Sequence, residues 1–115
     1  MTDSRRKGKD GELELAKLIR DQFGVDARRG QQFAGGPDSP DLVTDFDALH
    51  IECKRLKRCG VYKYMDQSRD DSAALQIPTV WLRADGEEWL TIIPTVLLEE
   101  FCRHFIKVID DAKVV

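Results

Sequence analysis

Two carboxylates and one amine in the middle of the chain have side chains and a spacing with which they could act together chemically. Asp41 stands directly before a short apolar run, and Glu52 and Lys54 alternate with Ile51 and Cys53 further along. Residues two apart on a β-strand point to the same face, so Glu52 and Lys54 should share one face while Ile51 and Cys53 face a core. If the two runs pair as neighbouring antiparallel strands, Asp41 lies beside the face that carries Glu52 and Lys54.

Two carboxylates and one ammonium group would then converge. Hard oxygen ligands of this kind suit Mg²⁺ or Mn²⁺. Lys54 could orient or deprotonate a water molecule, or stabilise negative charge that develops on a phosphate. The alternative is that Glu52 and Lys54 form a solvated, ion-paired strand face, a pattern that many charged strands show by chance. The order and structural context of the neighbouring motifs therefore decide between the two interpretations.

The composition predicts one globular domain over residues 1–115, because 42% hydrophobic and 34% charged residues are not typical of a disordered chain. We expect no membrane span and no signal peptide, since the chain has no long apolar run and its basic start precedes no apolar region. The three cysteines, an odd number without metal-binding spacing, predict reduced thiols inside a cell.

The net charge of −3 conceals three local basic stretches. They are residues 5–9 near the start, Arg28-Arg29 beside a glycine-rich segment, and the run Lys54-Arg55-Leu56-Lys57-Arg58 that begins at the Lys of the motif. Local positive charge can steer a polyanion even when the whole chain is acidic. We expect residues 1–8 to form a flexible basic arm.

Hydrophobic periodicity and turn signals predict an α/β domain with a mixed central β-sheet. Asp10 is expected to cap the first helix and Gly24 to end it. The later elements are a strand at 25–28, a loop at 30–39, the two motif strands, a helix at 62–75, strands at 77–82 and 89–93 around Asp85-Gly86, and a helix at 95–109.

These motifs resemble those of the PD-(D/E)xK nuclease superfamily. Pro40-Asp41 followed by Glu52-Cys53-Lys54 looks like its signature. The opening Lys7-Gly8-Lys9-Asp10-Gly11-Glu12-Leu13-Glu14-Leu15 is similar to the start of archaeal Holliday junction resolvases and their phage relatives. Small phage or prophage endonuclease-like proteins share, in the same order, segments like those at 28–32, 39–41 and 51–54, so the resemblance spans about residues 7–95.

The resemblance implies a restriction-endonuclease-like core, a mixed central sheet flanked by helices, and DNA cleavage that depends on Mg²⁺ or Mn²⁺. It implies Glu12, Asp41 and Glu52 as metal ligands and catalytic residues, with Lys54 and Gln67 as further catalytic residues. Glu14 competes with Glu12, because residues two apart on a helix do not share a face. The alternative to a catalytic role for Gln67 is that it is a surface residue of its helix.

We expect DNA phosphates to be bound by the basic stretches and the adjoining glutamines: Arg28, Arg29, Gln31, Gln32, Arg55, Lys57 and Arg58. The resemblance further suggests branched DNA as substrate, a homodimer, and a location in the cytoplasm of a bacterial or phage-infected cell. The competing functions are a non-catalytic nucleic-acid-binding domain of the same fold and a structural or regulatory phage protein. The surface expected to form the dimer is apolar, with the alternative that all of it is core: Trp81, Trp89, Ile92, Val96, Leu97, Phe101 and Phe105.

Overall fold

The computed structural model describes residues 4–30, 41–56 and 60–114. The elements follow one another in the predicted order of helix, three strands, helix, two strands and helix. They are α1 (Ser4–Phe23), β1 (Ala27–Arg29), β2 (Leu42–Thr44), β3 (Leu49–Leu56), α2 (Val61–Asp71), β4 (Ile77–Ala84), β5 (Leu90–Ile92), a 3₁₀ turn (Thr95–Leu97) and α3 (Leu98–Lys113). The prediction of an α/β fold with a mixed sheet flanked by helices is confirmed.

The central sheet has the strand order β3-β4-β5. β3 and β4 are parallel and are joined by α2, whereas β4 and β5 are antiparallel. Helices α1 and α3 pack on one face and α2 on the other, so the middle of β3 is buried on both sides. Burial on both faces is typical of a parallel strand pair with a helical crossover. In the described segments no helix is long and apolar enough to cross a membrane.

Aromatic rings fill the larger core, between the sheet and helices α1 and α3. Phe46 and Phe105 stack with ring centroids 4.5 Å apart, and Phe23 meets Phe105 edge-on at 4.9 Å. The residues expected to offer a dimer surface are mostly part of this packing. Trp81 and Phe101 are buried, and Trp89, Ile92, Leu97 and Phe105 are partly buried against the two core clusters. Of these seven residues, only Val96 is largely exposed, at 90%.

The two motif runs are not neighbouring strands, and that prediction is wrong. β2 pairs with β1 in a separate antiparallel ribbon, with Arg28 opposite Val43. β3 pairs instead with β4 over its whole length of eight residues. β3 is an edge strand of its sheet, and its backbone N–H at Cys53 is bound by the side chain of Asp41 rather than by a ladder with β2.

Two helix boundaries also differ from the predictions. α1 begins at Ser4 rather than near Asp10, so residues 4–8 of the expected flexible arm belong to this helix, and residues 1–3 lie outside the described residues. Lys7 holds this first part through an ion pair with Asp85, with Nζ 3.0 Å from Oδ2. α2 ends at Asp71 rather than at Leu75, which has a φ of +70° and cannot continue a right-handed helix. Gly24 ends α1 as predicted, with a φ of +68°.

Gly11 is a point of close approach between α1 and the sheet. A β-carbon at Gly11 would overlap the side chain of Arg55 on β3 near its backbone, whereas Gly8 on the same helix has no such neighbour within 4 Å. Alanine normally stabilises a helix interior relative to glycine by about 0.5–1 kcal/mol. We therefore expect Gly8→Ala to raise the free energy of unfolding by that amount and Gly11→Ala to lower it by about 1–3 kcal/mol.

The measurement is urea unfolding of both variants followed by circular dichroism. Gly8→Ala serves as the matched control, since it makes the same chemical change in the same helix. A stabilised Gly11→Ala protein would show that α1 does not approach β3 as closely as described.

Candidate active site

Glu52 lies at the centre of the site, on the face of β3 that α2 covers. Its side chain is only 3% exposed. Oε1 lies 3.1 Å from Nε2 of His50, and Oε2 lies 3.3 Å from Nζ of Lys54. Because all three residues alternate along β3, strand geometry alone brings their side chains together. Burial excludes the alternative in which Glu52 belongs to a solvated strand face.

Glu52 is ionised at neutral pH despite its burial. Burial by itself raises the pKa of a carboxylic acid. The hydrogen bond from His50 and the positive charge of Lys54 outweigh that effect, so the pKa of Glu52 lies below its usual value. A buried and charged carboxylate is therefore held ready to bind a cation or to orient a proton donor.

Lys54 lies between Glu52 and the first turn of α2. Its Nζ is 5.3 Å from the centre of the Tyr64 ring, a cation–π distance. Its side chain remains 23% exposed. The ammonium group is thus held on one side by a carboxylate and on another by an aromatic face, while part of it is accessible from solvent.

Asp41 reaches the same place although its strand pairs elsewhere. Its Oδ2 accepts a hydrogen bond from the backbone N–H of Cys53, at 2.9 Å. Its backbone carbonyl accepts another from Gly30 at 2.8 Å, which extends the β1–β2 ribbon by one step. Asp41 therefore lies where the ribbon meets β3, beside the peptide group that joins Glu52 to Cys53.

Glu12 approaches Cys53 from α1. It is 8% exposed, and its Oε1 lies 2.7 Å from Nε of Arg29. Burial raises the pKa of the Cys53 thiol far above its ordinary value, and the carboxylates of Asp41, Glu12 and Glu52 raise it further. The carboxylates of all three predicted metal ligands therefore act on the charge of Cys53, and their oxygens have the chemistry that Mg²⁺ prefers.

A different set of three potential metal ligands has its ligand atoms close together. Within the described part of the chain, His50, Glu52 and Asp71 form the one group of three such residues whose ligand atoms all lie within 4.8 Å of one another. The structure therefore places Glu12, Asp41 and Glu52 around one cysteine without bringing them to within that distance.

Sequence reasoning missed Asp71. The buried residues of α2 are Met65 and Ser68, and Asp71 follows Ser68 by three positions. The spacing 65, 68 and 71 is that of one helix face, which could have placed Asp71 toward the sheet. Gln67, predicted to point toward the substrate, is exposed on α2.

The choice between the two glutamates of α1 follows from their partners. Glu14 binds away from Cys53: Nη1 of Arg55 lies 3.4 Å from its Oε2, and Nε1 of Trp89 donates to its Oε1 at 2.9 Å. Residues two apart on a helix point in different directions, so Glu12 points elsewhere. It pairs with Arg29, and its charge acts on Cys53.

The predicted DNA-binding residues separate into three groups. Arg28 is exposed on β1, whereas Arg29 is engaged by Glu12. Arg55 lies against α1 with its guanidinium on Glu14 and Asp85, so its placement does not favour a phosphate contact. The others lie outside the described residues: Gln31, Gln32, Lys57 and Arg58.

The environment of Cys53 predicts an unreactive thiol. The thiolate is the form that iodoacetamide attacks, and the raised pKa of Cys53 leaves almost none of it at pH 8. We expect the native protein to be alkylated at the exposed Cys102 and at least ~100-fold more slowly at Cys53. Peptide mass spectrometry would measure both rates, and unfolding in urea should make them similar. Equal rates in the native protein would contradict the placement of Cys53 among three carboxylates.

No protein-family model, curated protein or solved structure matches this chain. The residues and distances at Glu52 are therefore the observations on which a function can be proposed.

Proposed function

We propose that this protein is a metal-dependent endonuclease that hydrolyses phosphodiester bonds of DNA, with a restriction-endonuclease-like core. The observation that carries the proposal is the buried, ionised Glu52 with Lys54 at 3.3 Å, next to Asp41 bound to the intervening peptide group. A buried charge is costly to maintain, so a fold that keeps two carboxylates beside an accessible ammonium group favours a catalytic role. The resemblance to PD-(D/E)xK nucleases gives these residues the same roles.

The oxygens of Glu12, Asp41 and Glu52 have the chemistry that suits Mg²⁺ or Mn²⁺, and they would have to move closer together to hold one ion. Such an ion, when bound, lowers the pKa of its water and polarises a phosphate oxygen. Asp41 is oriented by the Cys53 N–H and Glu52 by His50, so both carboxylates are positioned in advance.

Lys54 has the position of a residue that acts on the phosphate. Its ammonium group is held by Glu52 and the Tyr64 ring yet remains partly exposed, so it can contact a scissile phosphate from the solvent side. There it stabilises the negative charge that develops as the phosphodiester is attacked. The alternative roles of Lys54, orienting or deprotonating the attacking water, use the same position.

The proposal extends to branched DNA as substrate and to a homodimer, which supplies two sites at fixed separation for paired nicks. The apolar residues first expected to form the dimer are largely used in the core, so the dimer depends on other surfaces. A non-catalytic nucleic-acid-binding domain is the second candidate; the arrangement of Asp41, Glu52 and Lys54 favours catalysis over it.

Asp41→Asn and Glu52→Gln should each abolish Mg²⁺-dependent cleavage while DNA affinity stays nearly unchanged, because both carboxylates are assigned to the metal. Lys54→Ala should lower the rate by roughly 10²-fold or more with little effect on affinity. The assay measures nicking of linear, flapped and four-way DNA, with affinity measured separately in Ca²⁺.

Glu99→Gln on α3, whose side chain is 82% exposed, is the control for loss of a carboxylate. Circular dichroism and urea unfolding verify that each variant is folded. Full activity of folded Asp41→Asn or Glu52→Gln protein would contradict the proposal. DNA binding without any cleavage by the wild-type protein would instead support the non-catalytic domain.

The two arginines of β1 should behave differently when changed to alanine. Arg28 is exposed, so Arg28→Ala should reduce the slope of log affinity against log salt by about 0.9, the value for one lost phosphate contact. Arg29 holds Glu12, so Arg29→Ala should lower the free energy of unfolding by about 1–3 kcal/mol, because it leaves a buried carboxylate without that partner.

Fluorescence anisotropy at several salt concentrations measures the slope. Lys107→Ala on α3 is the control, since it removes an exposed cation that pairs with Asp111. An unchanged slope for Arg28→Ala would place β1 away from the DNA.

A further inference from the structure

A second group of potential metal ligands lies on the α2 side of the sheet. One ligand atom each from His50, Glu52 and Asp71 lies within 4.8 Å of the other two. His50 and Glu52 come from β3 and are 3% and 2% exposed, and Asp71 is the last residue of α2. The three therefore converge from two elements and close around a largely buried point.

The position of Asp71 is fixed by packing. Ser68, one turn earlier on α2, donates from Oγ to the carbonyl of Thr79 on β4 at 2.9 Å. Both Ser68 and Thr79 are completely buried. The end of α2 is thus attached to the sheet at the level of His50 and Glu52, since Thr79 is the register partner of Ile51, which lies between them.

The distance between His50 and Glu52 agrees with that of two ligands on one divalent metal ion. Two ligands bound at about 2.1 Å lie roughly 3.0–3.4 Å apart at angles between 90° and 109°. His50 Nε2 and Glu52 Oε1 are already 3.1 Å apart. The carboxylate of Asp71, which is partly exposed at the end of its helix, lies within 4.8 Å of both and would have to approach them to complete the coordination.

The charges also favour a cation at this point. Lys54 neutralises the other oxygen of Glu52, Oε2. Asp71 adds a second carboxylate close to Glu52, and within the described segments its side chain makes neither an ion pair nor a hydrogen bond. The carboxylate of Asp71 can therefore bind a cation together with Glu52 without giving up another described partner.

We propose that His50, Glu52 and Asp71 bind one divalent transition-metal ion of the class of Mn²⁺, Co²⁺ or Zn²⁺. An imidazole nitrogen with two carboxylate oxygens suits these ions, whereas Mg²⁺ and Ca²⁺ favour sites made only of oxygen. The ion replaces the proton by which His50 Nε2 is hydrogen-bonded to Glu52. The site shares Glu52 with the proposed nuclease centre but requires neither Glu12, Asp41 nor DNA, so it does not depend on the proposed cleavage.

Titration of the metal-free protein with Co²⁺, monitored by calorimetry and by visible absorption, tests the site. We expect one equivalent to bind and Mg²⁺ to compete poorly. Asp71→Asn should weaken Co²⁺ binding by at least ~10-fold, because it removes one of three ligands. Asp70→Asn, which changes an exposed neighbour on the same helix, should bind as the wild type does.

Two further variants, one in the proposed site and one outside it, complete the test. His50→Gln should also lose binding, and its folding is verified by urea unfolding, since His50 is buried. His104→Gln should retain binding, because His104 lies on α3 in the other layer of the fold. Wild-type affinity for Co²⁺ in the Asp71→Asn protein, or loss of it in His104→Gln, would overturn the proposal.

The readout separates this site from the proposed nuclease. A protein that binds Co²⁺ through Asp71 but cuts no DNA retains the metal site and contradicts the nuclease. A protein that cuts DNA with Mg²⁺ but shows no Asp71-dependent Co²⁺ binding contradicts the metal site alone.

Discussion

The burial of one ionised carboxylate governs the structure around it. Glu52 lies under α2, with 2% of its surface exposed. An uncompensated charge at such a place would be strongly unfavourable. Strand alternation supplies the compensation, since His50 and Lys54 lie two positions before and after Glu52 on the same face of β3. The local sequence of β3 therefore provides both partners of the buried carboxylate.

Helix α1 completes the site from the opposite face of the sheet. Gly11 allows it to lie close to Arg55, and Glu14 joins it to both parallel strands through Arg55 and Arg83. These contacts orient the helix so that Glu12, two residues from Glu14, faces Arg29. A network that looks purely structural thus determines where a predicted metal ligand points.

Asp41 connects the two separate sheets. Its backbone extends the ribbon of β1 and β2, and its side chain binds the backbone of β3. The ribbon therefore delivers a carboxylate to the central sheet without joining its hydrogen-bond ladder. This geometry also places Arg29 on β1 next to the site, where it pairs with Glu12 instead of remaining available to a phosphate.

The sequence by itself determined the order of the elements, the end of α1 at Gly24, and the shared face of Glu52 and Lys54. These depend on periodicity, turn chemistry and strand alternation, which are local properties. Only the tertiary structure decided that β2 pairs with β1, that Arg55 is committed to Glu14, and that Asp71 reaches Glu52. Strand pairing and helix docking are set by long-range packing, which brings together residues that no local pattern relates.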